Sequence, residues 1–337
     1  MTAPGEIIFE EVPIPEPKED ELLVQMARIG VCGSDVHVYH GKHPFTSYPV
    51  IQGHEVSGQV AKVGKDVKGF EEGDKVTIQP QVVCGQCLQC RTGRYHICDD
   101  LKVMGFQTTG AASDYFVVSA ERALKLPEGM SWEHGAMVEP LAVGVHALCR
   151  GGDIQGKKVL VLGAGPIGNL TAQTAKGMGA QHVMITDFSE YRLEVAKKCG
   201  VDSCVDVKSQ DLGAAIAATF GPDKADLILE CVGTNATIEQ AVENARKGSD
   251  IIVVGVFEKD ASVNMGLVQD RELSLIGTLM YQRSDYEKAI DLIEAGNVSL
   301  DPLISEFFDF TEYSKAYLHI ENNKEKSLKV FIKGRTP

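Results

Sequence analysis

Two rhythms of apolar residues divide this chain. In its first third they come in short alternating runs. Residues 21–26 and 56–61 read as half-buried strands, and Gly73-Asp74 introduces a third at 75–78. Pro13, Pro15 and Pro17 favour an extended entry segment over a helix. This part is expected to form an antiparallel, barrel-like domain. From about Gly156 the runs become continuous. Residues 158–162 (Lys-Val-Leu-Val-Leu) suit a strand buried on both faces of a sheet. A helix is predicted over 166–178, a strand over 182–187 and a helix over 193–199. Further strands are predicted at 203–207, 226–232, 251–257 and 273–278, with helices at 212–220 and 236–247. That alternation implies βαβ units and a parallel sheet. Residues 286–294 and 312–321 read as helices, and the closing strand at 329–332 is expected to return to the first domain.

A length of 337 residues fits one large domain or two ordinary ones. Thirty-three Lys plus Arg against 47 Asp plus Glu leave a net charge of −14, which disfavours a nonspecific hold on nucleic acid or an anionic membrane. No apolar run reaches membrane-spanning length, and the first ten residues lack the layout of a signal peptide. A cytoplasmic protein is expected. Nine cysteines then read as reduced thiols and metal ligands rather than a disulfide framework.

Gly163-Ala164-Gly165-Pro166-Ile167-Gly168 follows an apolar strand and opens a helix, so free helical N–H groups can face a pyrophosphate. Asp187 ends the next strand nineteen residues after Gly168, where a carboxylate accepts from the ribose hydroxyls of NAD and repels the 2′-phosphate of NADP. It could instead cap the following helix, a task open to Ser189 as well, and the nearby Arg192 could accommodate a 2′-phosphate. Val232, Gly233 and Val256, near the ends of later strands, complete the candidate cofactor contacts.

Cys84, Cys87, Cys90 and Cys98 place four thiols in fifteen residues, the donor set of a closed structural zinc; these spacings also permit an iron–sulfur cluster or redox pairs. Cys32, the pair His54-Glu55, and Glu139 form a dispersed second set with the mixed chemistry of an open zinc site. Singly, each has a bland reading: a buried thiol, a surface pair, the end of a segment.

Taken in order, these patterns resemble the zinc-containing medium-chain dehydrogenase/reductase superfamily, alcohol dehydrogenase type. The resemblance rests on Gly53-His54-Glu55, the four-cysteine segment, Gly73-Asp74-Lys75-Val76 and the glycine motif. Residues 31–37 (Val-Cys-Gly-Ser-Asp-Val-His) and 139–147 (Glu-Pro-Leu-Ala-Val-Gly-Val-His-Ala) look most like its polyol branch, the sorbitol and xylitol dehydrogenases. It implies a GroES-like barrel domain at 1–145 and 281–337 and a Rossmann NAD-binding domain at 146–280, with catalysis between them. It also implies two zinc ions per chain, one structural and one catalytic, the latter held by Cys32, His54-Glu55 and a water, with Glu139 a ligand or bonded to that water. Ser34 takes the alcohol's proton and passes it towards His37.

The implied reaction is NAD-dependent oxidation of a secondary alcohol of a polyol, sugar alcohol or sugar acid. Butanediol and L-threonine 3-dehydrogenases are alternatives, as is an NAD-binding relative without turnover. Tyr39, Phe45, Phe106 and Met280 are candidate pocket walls, and His40, His43 and His96 are taken as bystanders. The polyol branch carries an Arg where this chain has Met280, which cannot donate hydrogen bonds to substrate hydroxyls. The branch usually begins with a strand upstream of the Pro4-Gly5 turn. By analogy the chain is a homodimer or homotetramer pairing along 273–278.

Overall fold

The computed structural model describes residues 1–335, which divide into two compact units: Met1–Glu139 with the chain from Ile304 onward, and Pro140–Leu303. In the first, β1 (Glu21–Gly30) is followed by α1 (Gly33–Tyr39), β2 (Glu55–Val63), β3 (Lys75–Ile78) and a short pair, β4 (Gln81–Val82) and β5 (Lys102–Val103). Between that pair lies α2 (Leu88–Arg91); β6 (Tyr115–Ser119) and β7 (Ala123–Lys125) follow. α3 (Trp132–Arg150) then leads into the second unit. The division falls at Pro140, inside α3, where the ring lacks an N–H for the carbonyl of Ala136.

The second unit alternates β8 (Lys158–Leu162), α4 (Pro166–Gly177), β9 (His182–Asp187), α5 (Glu190–Lys198), β10 (Ser203–Asp206), α6 (Leu212–Phe220), β11 (Leu227–Glu230), α7 (Asn235–Asn244) and β12 (Asp250–Val253). It continues through α8 (Met265–Asp270), β13 (Ser274–Gly277) and α9 (Arg283–Glu294). The chain then returns as β14 (Ile304–Asp309), α10 (Tyr313–Asn322) and β15 (Lys329–Lys333).

The first unit's main sheet runs β14-β15-β1-β2-β3-β7, with β6 also on β1. Its pairs are antiparallel except β14 with β15, a mixed arrangement where a purely antiparallel one was expected. The closing strand returns to the first unit as expected, where it pairs with β1, Gly30 opposite Phe331. Leu22, Val24, Met26, Val56, Val60, Phe116, Tyr317 and Val330 share one core.

In the second unit the order is β10-β9-β8-β11-β12-β13, every pair parallel. This is the doubly wound order, which reverses between β8 and β11. Each continuous apolar run supplies both faces. Val159 and Val161 pack with Val183, Ile185 and Leu229, while Leu160 and Leu162 pack with Met184, Ile228 and Ile251 on the other side.

Residues 281–303, expected with the first domain, belong to the second unit. α9 buries Tyr286, Ala289 and Leu292, and Leu292 lies over Gly177 of α4, where a methyl group would come within 2.8 Å of it. The strands predicted at 226–232 and 251–257 end early, at Glu230 and Val253. Beyond them the backbones at Gly233 and Gly255 come together too closely to continue a strand: a Cβ on Gly255 would sit 2.1 Å from the Gly233 nitrogen. Among the described residues no helix is long and apolar enough to cross a membrane.

Leu160→Ala should lower stability by about 2–5 kcal/mol, since its side chain is fully buried among close-packed neighbours. Urea unfolding followed by circular dichroism measures this, and a loss under about 1 kcal/mol would show that the position is loosely packed.

Candidate functional site

The four-cysteine segment folds around its own sulfurs. Cys87 caps α2, its Sγ accepting from the Cys90 N–H at 3.5 Å; Cys84 Sγ accepts from the Cys87 N–H and Cys98 Sγ from the Cys84 N–H. Sulfur separations of 3.5 Å (Cys84–Cys98), 3.9 Å (Cys87–Cys98) and 4.0 Å (Cys84–Cys90) bracket the roughly 3.8 Å between thiolates on a tetrahedral zinc. The donors therefore fit zinc. Hydrogen bonds from the Asp99 and Cys90 N–H groups hold the Cys87 thiol down to about 6, whereas desolvation and the Cys87 and Cys98 sulfurs push Cys90 up to about 12. Four sulfurs this close cannot all ionise without a cation among them.

The second cluster gathers on the ends of β1 and β2. Cys32 caps α1, with its backbone N–H donating to Asp35 Oδ2 at 2.9 Å. Ligand atoms of Cys32, His54 and Glu55 lie within 4.8 Å of one another, and His54 and Glu55 are buried. Gly30 makes room for them, because a Cβ there would stand 2.2 Å from Glu55 Oε2. His54 Nδ1 is 3.4 Å from Asp35 Oδ1, which leaves its other nitrogen for a metal. Burial works to lower the His54 pKa, but the Asp35 charge, aided by Cys32, outweighs it and holds the pKa well above the ordinary value. A field that favours a proton there also favours a metal cation, so this donor set fits zinc too.

Lys329 completes the cluster, and sequence reasoning passed it over as part of a closing strand. Its Nζ donates to both Glu55 oxygens, at 2.8 and 2.7 Å, deep in the first unit. Burial would lower its pKa, yet the Glu55 carboxylate, with Cys32 and Glu139, raises it. The available signal was a lysine opening an apolar strand. Asp35 was also passed over as a functional residue, although it sits inside a quoted motif. Glu139 lies buried in α3, close enough for its charge to act on Lys329 but outside the three-residue cluster.

Ser34 and His37, both half-buried, stand three residues apart on α1 and so share a face. Phe106 packs at 4.9 Å from the His54 ring and stacks on His43 at 4.7 Å. The ring of His43, expected as a bystander, lies one aromatic layer from the Cys32–His54–Glu55 cluster. Burial lowers the His43 pKa, as does the charge of His37. Tyr39 packs into the first unit's core against Tyr317, and Phe45 is exposed. His40 pairs with Glu321, and His96 is buried. Met280 lies in the second unit with a left-handed backbone, φ 52°, an uncommon conformation for this side chain.

In the second unit the glycine motif sits where the strand order reverses. Gly165 caps α4 and Pro166 opens it. Gly163 has φ +97°, and a Cβ on Gly168 would meet the Gly163 carbonyl at 1.9 Å, so this turn requires glycine at both positions. Asp187 accepts from the Ala164 N–H (Oδ2) and the Ser189 N–H (Oδ1), both at 2.8 Å. It ties the glycine turn to the end of β9, and Ser189 is the residue that caps α5. Arg192 Nη1 stands 3.8 Å from Asp187 Oδ2. Across the reversal, Val232 and Gly233 are held by a group the sequence did not single out. Buried Glu230 accepts from their N–H groups through Oε1, at 2.9 and 2.8 Å. Val232 and Val256 are exposed.

Zinc binding to the four-cysteine segment should release protons at pH 7.5, Cys90 contributing because its thiol is still protonated there. As pH falls through about 6, Cys87 also becomes protonated and affinity should fall more steeply. Calorimetry in buffers of different ionisation enthalpy counts the protons; zero release would refute this ordering.

Comparison with known proteins agrees with this geometry. The model of the alcohol dehydrogenase GroES-like domain matches residues 18–128, and that of the zinc-binding dehydrogenase matches residues 166–295. The chain is 35% identical to 2-dehydro-3-deoxy-L-galactonate 5-dehydrogenase of Pseudoalteromonas atlantica, covering 92% of this chain and 90% of the relative. It is also 35% identical to sorbitol dehydrogenase 1 of Saccharomyces cerevisiae, over 93% and 91% of the two chains. The crystal structure of a zinc-binding dehydrogenase from Sinorhizobium meliloti bound to NADP superposes with a TM-score of 0.90 at 30% identity, over 98% and 96% of the two chains. The chain belongs to the zinc-binding alcohol dehydrogenase family, oxidoreductases built from a GroES-like domain and a Rossmann-type domain.

Proposed function

We propose that this protein oxidises a secondary alcohol of a polyol, sugar alcohol or sugar acid to a ketone, with NAD as hydride acceptor and two zinc ions per chain. The observation that carries the reading is the cluster of half-buried Cys32 with buried His54 and Glu55, braced by Asp35 and Lys329. It offers mixed donors rather than a closed sulfur shell. The similarity to a sugar-acid dehydrogenase and a sorbitol dehydrogenase supports the substrate class.

Zinc held by Cys32 and His54, with Glu55 or Glu139 and solvent, would supply Lewis acidity that lowers the pKa of a substrate hydroxyl. The chain's own residues do the rest. The Asp35 charge, 3.4 Å from His54 Nδ1, favours a proton on that nitrogen and so the tautomer that leaves the other to a metal. Ser34 can accept the alcohol's proton while donating its own, and His37, on the same helical face, can pass it to solvent. Lys329 holds the Glu55 carboxylate in place through two hydrogen bonds. NAD, when bound, would supply the hydride acceptor, and the glycine turn with the α4 N-terminus would hold its pyrophosphate. Asp187 favours ribose hydroxyls over a 2′-phosphate, while Arg192 beside it limits that preference.

A second copy could add to the edge strand β13, whose Ser274, Leu275 and Gly277 are exposed. A homodimer or homotetramer would then sediment as such; a monomer at micromolar concentration rejects this pairing.

The test is a panel of polyols, sugar acids, 2,3-butanediol and L-threonine, each with NAD and with NADP, followed by absorbance of the reduced cofactor. The expected outcome is activity with a polyol or sugar acid, preferring NAD. Butanediol or threonine as the best substrate would replace the substrate class, and activity that survives stripping of all zinc would refute the reading. Asp187→Ser should raise KM for NAD about tenfold and narrow the NAD preference. An unchanged ratio would show that Asp187 only ties the glycine turn.

A further inference from the structure

We infer that Gln52 and Tyr317 are positioning residues for the metal ligand His54, acting on it through Asp35. The inference deepens the proposed reading and rests on it. Gln52 precedes His54 by two residues and is buried, a place where a primary amide is costly unless both its ends are bonded. Both are. Its Oε1 accepts from the Tyr317 hydroxyl at 2.6 Å, and its Nε2 donates to Asp35, to the backbone oxygen at 3.3 Å and to Oδ1 at 3.4 Å. Tyr317 comes from α10, 265 residues further along the chain, and is fully buried with its ring on Tyr39.

The direction of this chain is fixed by its first member. Burial, with the charges of Tyr313 and Asp35 behind it, pushes the Tyr317 hydroxyl well above the usual phenol range, so it stays a donor. Gln52 must then present its oxygen to Tyr317 and its amino group to Asp35. Asp35 accepts at each of these contacts: from the Cys32 N–H at Oδ2, and from Gln52 at Oδ1, the oxygen that faces His54. A carboxylate with one anchor can rotate; the second anchor keeps Oδ1 3.4 Å from His54 Nδ1, outside hydrogen-bond geometry but close enough for its charge to act on the ring. That charge favours a proton on Nδ1 and leaves the other nitrogen to a metal. Its contacts near 3.4 Å are long, so the effect should fall at or below the low end of the tenfold to hundredfold range for direct partners of a ligand.

The rival role is structural: Tyr317 and Gln52 would satisfy each other merely to seat α10. Cobalt-substituted protein separates the two, because thiolate-to-cobalt absorption reports the metal's surroundings and its decay in a chelator reports release. The variants are Tyr317→Phe, which keeps the ring packing, Gln52→Leu, and the double variant; release from the four-cysteine segment serves as reference. Each single variant should release metal from the Cys32–His54 site about 3–10 times faster with the reference unchanged, and the double variant should be no faster than Gln52→Leu. Release at the parental rate, even with a lowered melting temperature, overturns the inference, as do effects that multiply in the double variant. Should Gln52→Leu fail to fold, Tyr317→Phe alone decides between faster and parental release. A parental protein that binds only one metal per chain removes the reading beneath it, and the inference with it.

Discussion

Buried negative charge in search of cations is the constraint around which the first unit is built. Asp35 and Glu55 lie almost wholly out of solvent, with the Cys32 sulfur beside them and Glu139 buried nearby. Ionised carboxylates in such a place are tolerable only when paired and hydrogen-bonded. Lys329 answers Glu55 through two short contacts, and removing it would leave an uncompensated charge costing about 3–5 kcal/mol. One lysine does not neutralise the cluster. The excess shows in His54, whose proton is held more tightly than usual despite complete burial. A divalent ion on the same donors would relieve that excess directly.

The second unit meets the opposite requirement, a place for an anion, with backbone instead of side chains. At the reversal of strand order, the N-terminus of α4 opens onto the glycine turn, and two missing side chains let the backbone close on itself. Asp187 and Glu230 each accept two N–H groups from the loops beside them, so both carboxylates stiffen the rim of the crevice. Asp187 thus fixes the glycine turn to the end of β9, whatever part it has in the proposed cofactor preference.

The two candidate metal-ligand clusters differ in how they arise. The four cysteines fall within fifteen residues, and α2 with its capping sulfur brings them together locally. The Cys32–His54–Glu55 group needs β1 beside β2 before its members meet, and β15 beside β1 before Lys329 reaches Glu55. Its polar support reaches further still, through Gln52 to α10.

Much was therefore legible from residue order alone. Local spacing determined the four-cysteine group, the glycine turn and the alternation of strands and helices, because each depends on contacts within one or two elements. The return of the closing strand to the first unit was also anticipated, though not its pairing with β1. Tertiary structure decided what depends on distant partners: that Lys329 binds Glu55, that Glu230 holds the Val232 turn, and that His43 stacks toward the metal cluster. It likewise decided where the units part, at Pro140, and that 281–303 packs against α4. The physical reason is common to all of these: a charge or amide becomes consequential only once burial removes water as its alternative partner, and burial belongs to the folded whole.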